Sequence, residues 1–247
     1  MRSSHGFLQK WIATLSLGLS FGLMAPAQAS PAAPVNGAEY RTLEKVQPTD
    51  AGKKVEVTEF FWYSCPHCSA FESQLTDWVK KQGDNIVFKR VHVGFRESFQ
   101  PQQRLYFALE AMGKVDEMQK KIFNAIHVER KNLDSDAAIT DFVVAQGIDR
   151  KKFTDVYTSF GVQSKVRRSL QLQEAYKIDG VPMIAIDGRY MTSPSIVGAV
   201  IGNQPELALQ AAALQVMDFL VAKSAKEHKT SVAPVAASTL VATSGKK

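Results

Sequence analysis

The two cysteines of the chain lie close together in the stretch FFWYSCPHCSAF, residues 60–71. Cys65 and Cys68 are separated only by Pro66 and His67. Such a pair can form a structural disulfide, bind a metal or take part in disulfide exchange. A disulfide that closes so small a loop removes little entropy from the unfolded chain and therefore stabilises a fold very little. The spacing thus favours exchange over a structural disulfide.

A metal site has weak support in the sequence. A structural zinc site needs about four ligands, and the chain has no second pair of cysteines. The remaining candidate ligands are scattered histidines without ligand spacing, namely His92, His127 and His228. We therefore expect no bound metal.

The cysteines lie where a predicted strand leads into a predicted helix. The preceding segment, KKVEVTEFFWY, is rich in β-branched and aromatic residues, and both of its faces are largely apolar. This pattern is typical of a central strand that is covered on both sides. The following segment, CPHCSAFESQLTDWVKKQG, has apolar residues at helical spacing, with Pro66 suited to the first turn and Gly83 to the end. Cys65 is therefore expected at the N-terminus of the helix.

A helix N-terminus favours a thiolate, because unpaired backbone N–H groups and the helix dipole both stabilise negative charge there. We therefore expect a lowered pKa for Cys65 and a more shielded sulfur at Cys68, one turn further in. A charged or hydrogen-bonding His67 would favour the Cys65 thiolate further, while Pro66 keeps the first turn rigid. Since a stable thiolate leaves easily, the pair is predicted to form an oxidising disulfide.

Glu59 interrupts the apolar strand six residues before Cys65. It is either a solvated acid on an edge strand or a buried carboxyl that relays protons to Cys68 during exchange. In the second case a base on the next strand, Lys89 or Arg90, would balance its charge.

Val181 and Pro182 open a later predicted strand, VPMIAID. Proline at this position could mark an edge strand. In a redox protein it could instead be a cis-proline whose neighbour pairs with the backbone of a bound substrate.

The order of predicted elements is strand, helix, strand, a block of helices, a hairpin and a closing helix. This order indicates an α/β domain, formed by residues 38–98 and 164–222, that is interrupted by an inserted all-helical domain at 99–163. Residues 1–29 have the basic start, apolar core and AQA end of a cleaved signal peptide, which predicts export. Residues 223–247 are rich in Ala, Ser, Thr and Lys, and we predict a disordered basic tail there.

The formal net charge of +6 does not indicate nucleic-acid binding. The signal segment and the tail carry all of the excess, so residues 30–222 are formally neutral. A nucleic-acid-binding protein needs a basic face on its folded part.

The segments EFFWYSCPHCSAFE and GVPMIAIDGRY, with the helical insertion between them, resemble the DsbA family of bacterial periplasmic thiol:disulfide interchange proteins. The resemblance covers residues 38–222 and implies a thioredoxin fold with an inserted all-helical domain. The family's functional positions match a nucleophile, a buried cysteine, a tuning histidine, a buried acid and a cis-proline pair, at Cys65, Cys68, His67, Glu59 and Val181-Pro182. The chain departs from the family at Ser64, where an aromatic residue is usual, and at Arg90, where lysine is frequent.

The resemblance implies a monomeric periplasmic enzyme that donates its disulfide to exported proteins as they fold. It also implies reoxidation by a membrane quinone-linked partner of the DsbB type, with no bound cofactor. Two alternatives stay open. One is a disulfide reductase or isomerase, although the short segment before the first strand leaves no room for an N-terminal dimerisation domain. The other is a chaperone-like peptide-binding module in which the cysteine pair is incidental.

Overall fold

A five-stranded mixed sheet forms the centre of the molecule. The computed structural model describes residues 31–231, so the predicted signal peptide at 1–29 lies outside the described residues. The strands are β1 Arg41–Thr42, β2 Val55–Phe61, β3 Ile86–His92, β4 Met183–Ile186 and β5 Tyr190–Thr192. Their order in the sheet is β1-β5-β4-β2-β3, with β2 parallel to β3 and all other neighbours antiparallel.

Helices cover the sheet and form a block between β3 and β4. The helices are α1 Pro66–Gln82, α2 Gln100–Ala111, α3 Val115–His127, α4 Asp136–Ala145, α5 Arg150–Tyr157, α6 Phe160–Ala175, α7 Pro194–Ile201 and α8 Glu206–Ser231. The predicted end of the helical insertion, between residues 163 and 164, falls inside α6. The block between the two strands therefore continues to the end of that helix.

Strand β2 is the central element that leads into the cysteine motif. Every residue of β2 is buried, which confirms the expectation of a central strand covered on both sides. Its register places Glu59 opposite Arg90 of β3 and opposite Ile184 of β4. The chain therefore leaves the interior of the sheet only four residues before Cys65.

Helix α1 follows the motif with the predicted bounds. Cys65 is its N-cap and Pro66 its first residue, and the helix ends at Gly83, whose φ of +52° suits glycine. Its buried face, which includes Phe71, Leu75 and Trp78, packs in a core cluster with residues of the sheet and of α8. A second cluster joins the motif and the residues before it to the helical block.

Helix α8 differs from the prediction at both ends. Asn203, with Glu206 three residues later, has the spacing of a capping box and predicts a helix that starts after Asn203. That prediction is wrong, because α8 begins at Glu206 and the carbonyl of Pro205 accepts the first helical N–H groups. At its other end the helix continues through Ser231, so the predicted disordered tail is wrong for residues 223–231. Its remaining part, 232–247, lies outside the described residues.

Side-chain contacts to the β4–β5 hairpin explain why the last turns of α8 are ordered. Glu227 accepts a hydrogen bond from the hydroxyl of Tyr190 at 2.9 Å, and His228 Nε2 lies 2.9 Å from Asp187 Oδ2. These contacts involve residues far apart in the chain, which composition alone does not reveal. By length and composition α8 could cross a membrane, and 44% of its most apolar 18-residue stretch is buried inside the protein.

Gly188, in the turn of this hairpin, should be intolerant of any side chain. Its φ is +63°, and a Cβ there would lie 2.1 Å from the carbonyl oxygen of Gln47. Gly113 has nearly the same φ, +64°, but open space around it. We expect Gly113→Ala to lower the free energy of unfolding by about 1 kcal/mol and Gly188→Ala by at least about 2 kcal/mol more. Urea denaturation measures both, and equal losses would contradict this account of the turn.

Candidate functional site

The sulfur of Cys65 lies at the N-terminus of α1. Cys65 has extended backbone angles as the N-cap, and its Sγ accepts a hydrogen bond from the backbone N–H of Cys68 at 3.4 Å. Its own backbone N–H bonds to the carbonyl of Trp62, which closes the turn between β2 and α1. Both cysteines are free thiols in the structure; Cys65 is 6% exposed and Cys68 is fully buried. Both residues are buried, and Cys65 is the more exposed of the two.

The two sulfurs have opposite acid–base properties. The pKa of Cys65 is lowered to about 6, chiefly by a hydrogen bond from the thiol of Cys68; burial opposes this effect, and the backbone N–H groups of Cys68 and His67 and the charge of His67 contribute to the lowering. Burial raises the pKa of Cys68 well above its ordinary value, and its hydrogen bond to Cys65 adds to this effect. The environment thus favours a thiolate at Cys65 and a thiol at Cys68.

Pro66 and His67 both lie on the surface of the first turn of α1. His67 Nδ1 lies 2.7 Å from Oε1 of Glu206, the first residue of α8. This hydrogen bond raises the pKa of His67, against a smaller opposing effect of burial. The histidine of the motif is therefore held by an acid that the sequence did not place near it.

Glu59 is a buried ion-paired acid, 1% exposed. Its partner is Arg90, whose Nε lies 2.8 Å from Glu59 Oε2, and the same guanidinium contacts Glu72 of α1 at 3.0 Å and 3.2 Å. Lys89 bonds instead to Glu56 at 2.7 Å and to Asp50 at 3.3 Å. Of the two bases considered from the sequence, Arg90 is thus the one in contact with Glu59.

The charge of this buried group is not fully balanced. Two carboxylates share one guanidinium, and burial raises the pKa of Glu59 to about 7, against the attraction of Arg90 and with a further contribution from Glu72. The negative charge of Glu59 in turn raises the pKa of Cys68. A carboxyl that titrates near neutrality and interacts with the buried sulfur can exchange a proton with it.

Hydrogen bonds extend this group into the helical block. Gln119 of α3 donates to Glu72 at 3.4 Å and accepts from the hydroxyl of Tyr63 at 2.9 Å. Ser64, next to the motif, exchanges hydrogen bonds with Gln102 of α2, and Gln102 also donates to the carbonyl of Leu133. The residues before Cys65 are therefore fixed by the insertion as well as by the sheet.

Val181 and Pro182 lie beside the more exposed cysteine. The peptide bond between them is cis, and Cys65 Sγ lies 3.5 Å from the carbonyl oxygen of Val181. Next to them Trp62 stacks on Phe99, with ring centroids 4.0 Å apart, and Trp62 and Val181 pack against the same core clusters. An apolar surface and a backbone carbonyl therefore adjoin the sulfur of Cys65.

Two histidines that seemed scattered in the sequence meet at the backbone of Tyr63. The buried His92 accepts from the N–H of Tyr63 at 3.3 Å, and burial lowers the pKa of His92 to about 3, which keeps it neutral. On the other side His127 Nε2 bonds to the carbonyl of Tyr63 at 2.8 Å. One feature of the sequence indicates that either histidine has a structural role, namely the position of His92 in the apolar run VHV.

Among residues 31–231, no cluster of His, Cys, Asp or Glu is arranged to hold a metal ion.

The comparisons with known proteins agree with one another. A family model described as a DSBA-like thioredoxin domain matches residues 56–213. The thiol:disulfide interchange protein DsbA of Burkholderia cepacia is 46% identical over 217 residues, which cover 87% of this chain and 96% of the relative.

Solved structures show the same fold. A crystal structure of Pseudomonas aeruginosa DsbA matches with a TM-score of 0.71 and 30% identity, over 78% of this chain and 95% of that one. A Cys-to-Ser variant of Proteus mirabilis DsbA, solved with a non-covalently bound peptide, matches in fold with a TM-score of 0.64 and 23% identity, over 76% of this chain and 98% of that one. These matches confirm the predicted α/β thioredoxin fold with a helical insertion.

Removing the guanidinium of Arg90 should show how strongly two buried carboxylates without a cation destabilise the fold. Arg90→Met leaves Glu59 and Glu72 without their cation, so we expect a loss of about 3–5 kcal/mol in the free energy of unfolding at neutral pH. The control Lys89→Met breaks the half-exposed pair with Glu56 and should cost about 1 kcal/mol. Urea denaturation of each variant, alone and combined with Glu59→Gln, measures the coupling free energy between Glu59 and each of the two bases. Coupling of Glu59 to Lys89 rather than to Arg90 would contradict the assignment.

Glu59 should also give the stability a characteristic pH dependence. Its pKa is raised from 4.5 to about 7, so between these values the folded protein holds a proton that the unfolded chain releases. The contribution of this group to stability is therefore present at low pH and is lost as the pH rises through about 7. We expect Glu59→Gln to remove this decline. Denaturation midpoints across that range measure it, with Glu117→Gln, an exposed acid, as control; parallel curves for wild type and Glu59→Gln would refute the shift.

Proposed function

The chain belongs to the DsbA-like thioredoxin family and is a thiol:disulfide oxidoreductase, and we propose that Cys65 and Cys68 form its redox-active disulfide. The observation that carries this assignment is the contrast between the two sulfurs. Cys65 is the more exposed one and has a pKa lowered to about 6, whereas Cys68 is completely buried and has a raised pKa.

The contrast assigns a different role to each sulfur in the exchange. A thiolate of the substrate attacks Cys65 Sγ in the oxidised enzyme; the Cys65–Cys68 bond breaks and Cys68 leaves with the electron pair. A second thiolate of the substrate then attacks the substrate sulfur of the mixed disulfide, and Cys65 leaves as a thiolate. The substrate has lost two electrons and gained a disulfide, and the enzyme has gained both electrons as a dithiol.

Glu59 supports the first step as a proton donor. The leaving sulfur of Cys68 is fully buried, and its raised pKa means that it must take up a proton. Glu59 has a pKa of about 7 and interacts electrostatically with Cys68, so a substantial fraction of its carboxyl groups carries a proton at neutral pH that it can supply. Arg90 stabilises the carboxylate that remains.

Substrate binding falls to the surface around Val181. The carbonyl of Val181 beside Cys65 can accept a hydrogen bond from an extended peptide, and Trp62 adds apolar contact next to it. The peptide bound to the related Proteus protein is consistent with clients that are polypeptides. We propose that the clients here are reduced exported proteins.

The oxidising direction is favoured over reduction or isomerisation. The lowered pKa of Cys65 stabilises the dithiol form of the enzyme, which makes its disulfide a stronger oxidant. The predicted signal peptide at 1–29 suggests the periplasm, and a DsbB-type membrane quinone oxidoreductase is the proposed reoxidising partner. The proposal includes a monomeric enzyme that needs no bound cofactor for the exchange.

Two variants test this function. Cys65→Ser should abolish the oxidation of a reduced, unfolded protein, whereas a peptide-binding module would keep its peptide affinity and its activity. His67→Ala should make the protein less oxidising, because it removes a positive charge that lowers the pKa of Cys65. Equilibration with glutathione buffers measures the potential. A wild-type potential near that of thioredoxin, about −270 mV, would contradict an oxidase.

A further inference from the structure

Helices α1 and α8 lie side by side and run in the same direction. Hydrogen bonds join them along their length, since Gln74 donates to Gln210 at 2.7 Å and Trp78 Nε1 donates to Asp218 at 2.8 Å. A third bond, from Gln82 to Asp218 at 2.6 Å, extends the contact to the last residue of α1. Residues further along α1 bond to residues further along α8, so the two helices are parallel. The N-terminus of α8 therefore lies at the same end as the cysteine motif.

This arrangement brings the first residue of α8 to the histidine of the motif. Glu206 Oε1 lies 2.7 Å from His67 Nδ1, although the two residues are 139 positions apart in the chain. The dipole of α8 favours a negative charge at its own first residue, so the carboxylate is a stable partner for the imidazole. The contact therefore depends on how α8 is seated on α1 and not on the motif itself.

His67 and Cys65 are influenced by charged groups from three elements. Glu206 of α8 and Cys65 both favour the charged imidazole, and the charge of His67 favours the Cys65 thiolate. From β2, Glu59 interacts with Cys65, and Arg90 of β3, which Glu59 shares with Glu72, offsets part of its charge. The strand-opening segment contributes the carbonyl of Val181, which does not titrate.

We propose that Glu206 is a positioning residue of the redox site, which holds the imidazole of His67 at the motif through their 2.7 Å contact and so makes the disulfide more strongly oxidising. This role rests on the proposed redox function of Cys65 and Cys68. It places an acid beside a histidine whose ordinary pKa lies close to neutrality, where a small shift changes the charged fraction.

The sign of the effect depends on pH, because Glu206 acts in two opposite ways. Its carboxylate repels the Cys65 thiolate, but it contacts the imidazole and not the sulfur, so its main action is through His67. At about pH 7.5, removing the carboxylate lowers the charged fraction of His67 and so destabilises the thiolate. At about pH 5 a histidine is charged in either case, so removal takes away only repulsion.

Glu206→Gln tests the proposal by two measurements. The NMR titration of the His67 ring should move toward the ordinary pKa of histidine in the variant. In glutathione buffers at about pH 7.5 the variant should be less oxidising, with an equilibrium constant changed about two- to fivefold. At about pH 5 it should be as oxidising as the wild type, or more so. A purely structural role of Glu206 would not give an effect that changes with pH in this way.

Two controls separate this role from a general loss of surface charge. Glu117→Gln removes an acid of α3 whose side chain is 44% exposed, against 48% for Glu206; Glu117 is paired with Lys114, the residue before the helix. It should leave the potential unchanged at both pH values. In the His67→Ala background, Glu206→Gln should no longer make the protein less oxidising.

An unchanged His67 titration, or an equal loss of oxidising power at both pH values, would overturn the proposal. The same loss in the His67→Ala background would also overturn it. A wild-type protein that is not oxidising would instead refute the proposed function. The His67 titration in Glu206→Gln distinguishes the two failures, because it reports the contact whatever the potential is.

Discussion

The position of the Cys65 sulfur at the N-terminus of α1 is the constraint on which the rest of the site depends. There the sulfur accepts a backbone N–H and the thiol of Cys68, and both stabilise its charge. The fully buried strand β2, which precedes the motif, fixes this position. His92 and His127 contribute as well, since they bond to the N–H and to the carbonyl of Tyr63. A small change in how β2 leads into α1 would therefore change the chemistry of the pair.

The interior of the protein contains a charged group whose desolvation costs folding free energy, which a core selected for stability alone would avoid. Two carboxylates, Glu59 and Glu72, share the guanidinium of Arg90, and burial leaves Glu59 with a pKa near 7. Gln119 ties this group to the helical insertion, so the insertion contributes to the electrostatics below the site as well as to its outer surface. In the proposals above, the buried acid and the surface pair of His67 with Glu206 have separate tasks: the acid supplies a proton to Cys68, and the pair stabilises charge at Cys65.

Local pattern was enough to predict β2, α1 and the place of the cysteines, because strand composition, Pro66 and Gly83 all indicate the same elements. It could not choose between Lys89 and Arg90, since that choice depends on the register of β2 against β3. Nor could it place Glu206 at His67, because this contact follows from the packing of α8 on α1. The helical conformation of residues 223–231 likewise depends on the contacts of α8 with the β4–β5 hairpin. The polar, lysine-rich sequence of this segment does not indicate those contacts.

The central claim is that the two sulfurs of one short motif differ strongly in acidity. Titration of the ultraviolet thiolate absorbance of the reduced protein tests it most directly, with Cys65→Ser to assign the signal. The account predicts one thiolate that forms with a midpoint near pH 6 and is absent in Cys65→Ser. The pKa of Cys68 should lie well above 9.0, so that this residue remains a thiol over the same range. A first midpoint at 9.0, the ordinary value, or a low midpoint that persists in Cys65→Ser, would contradict it.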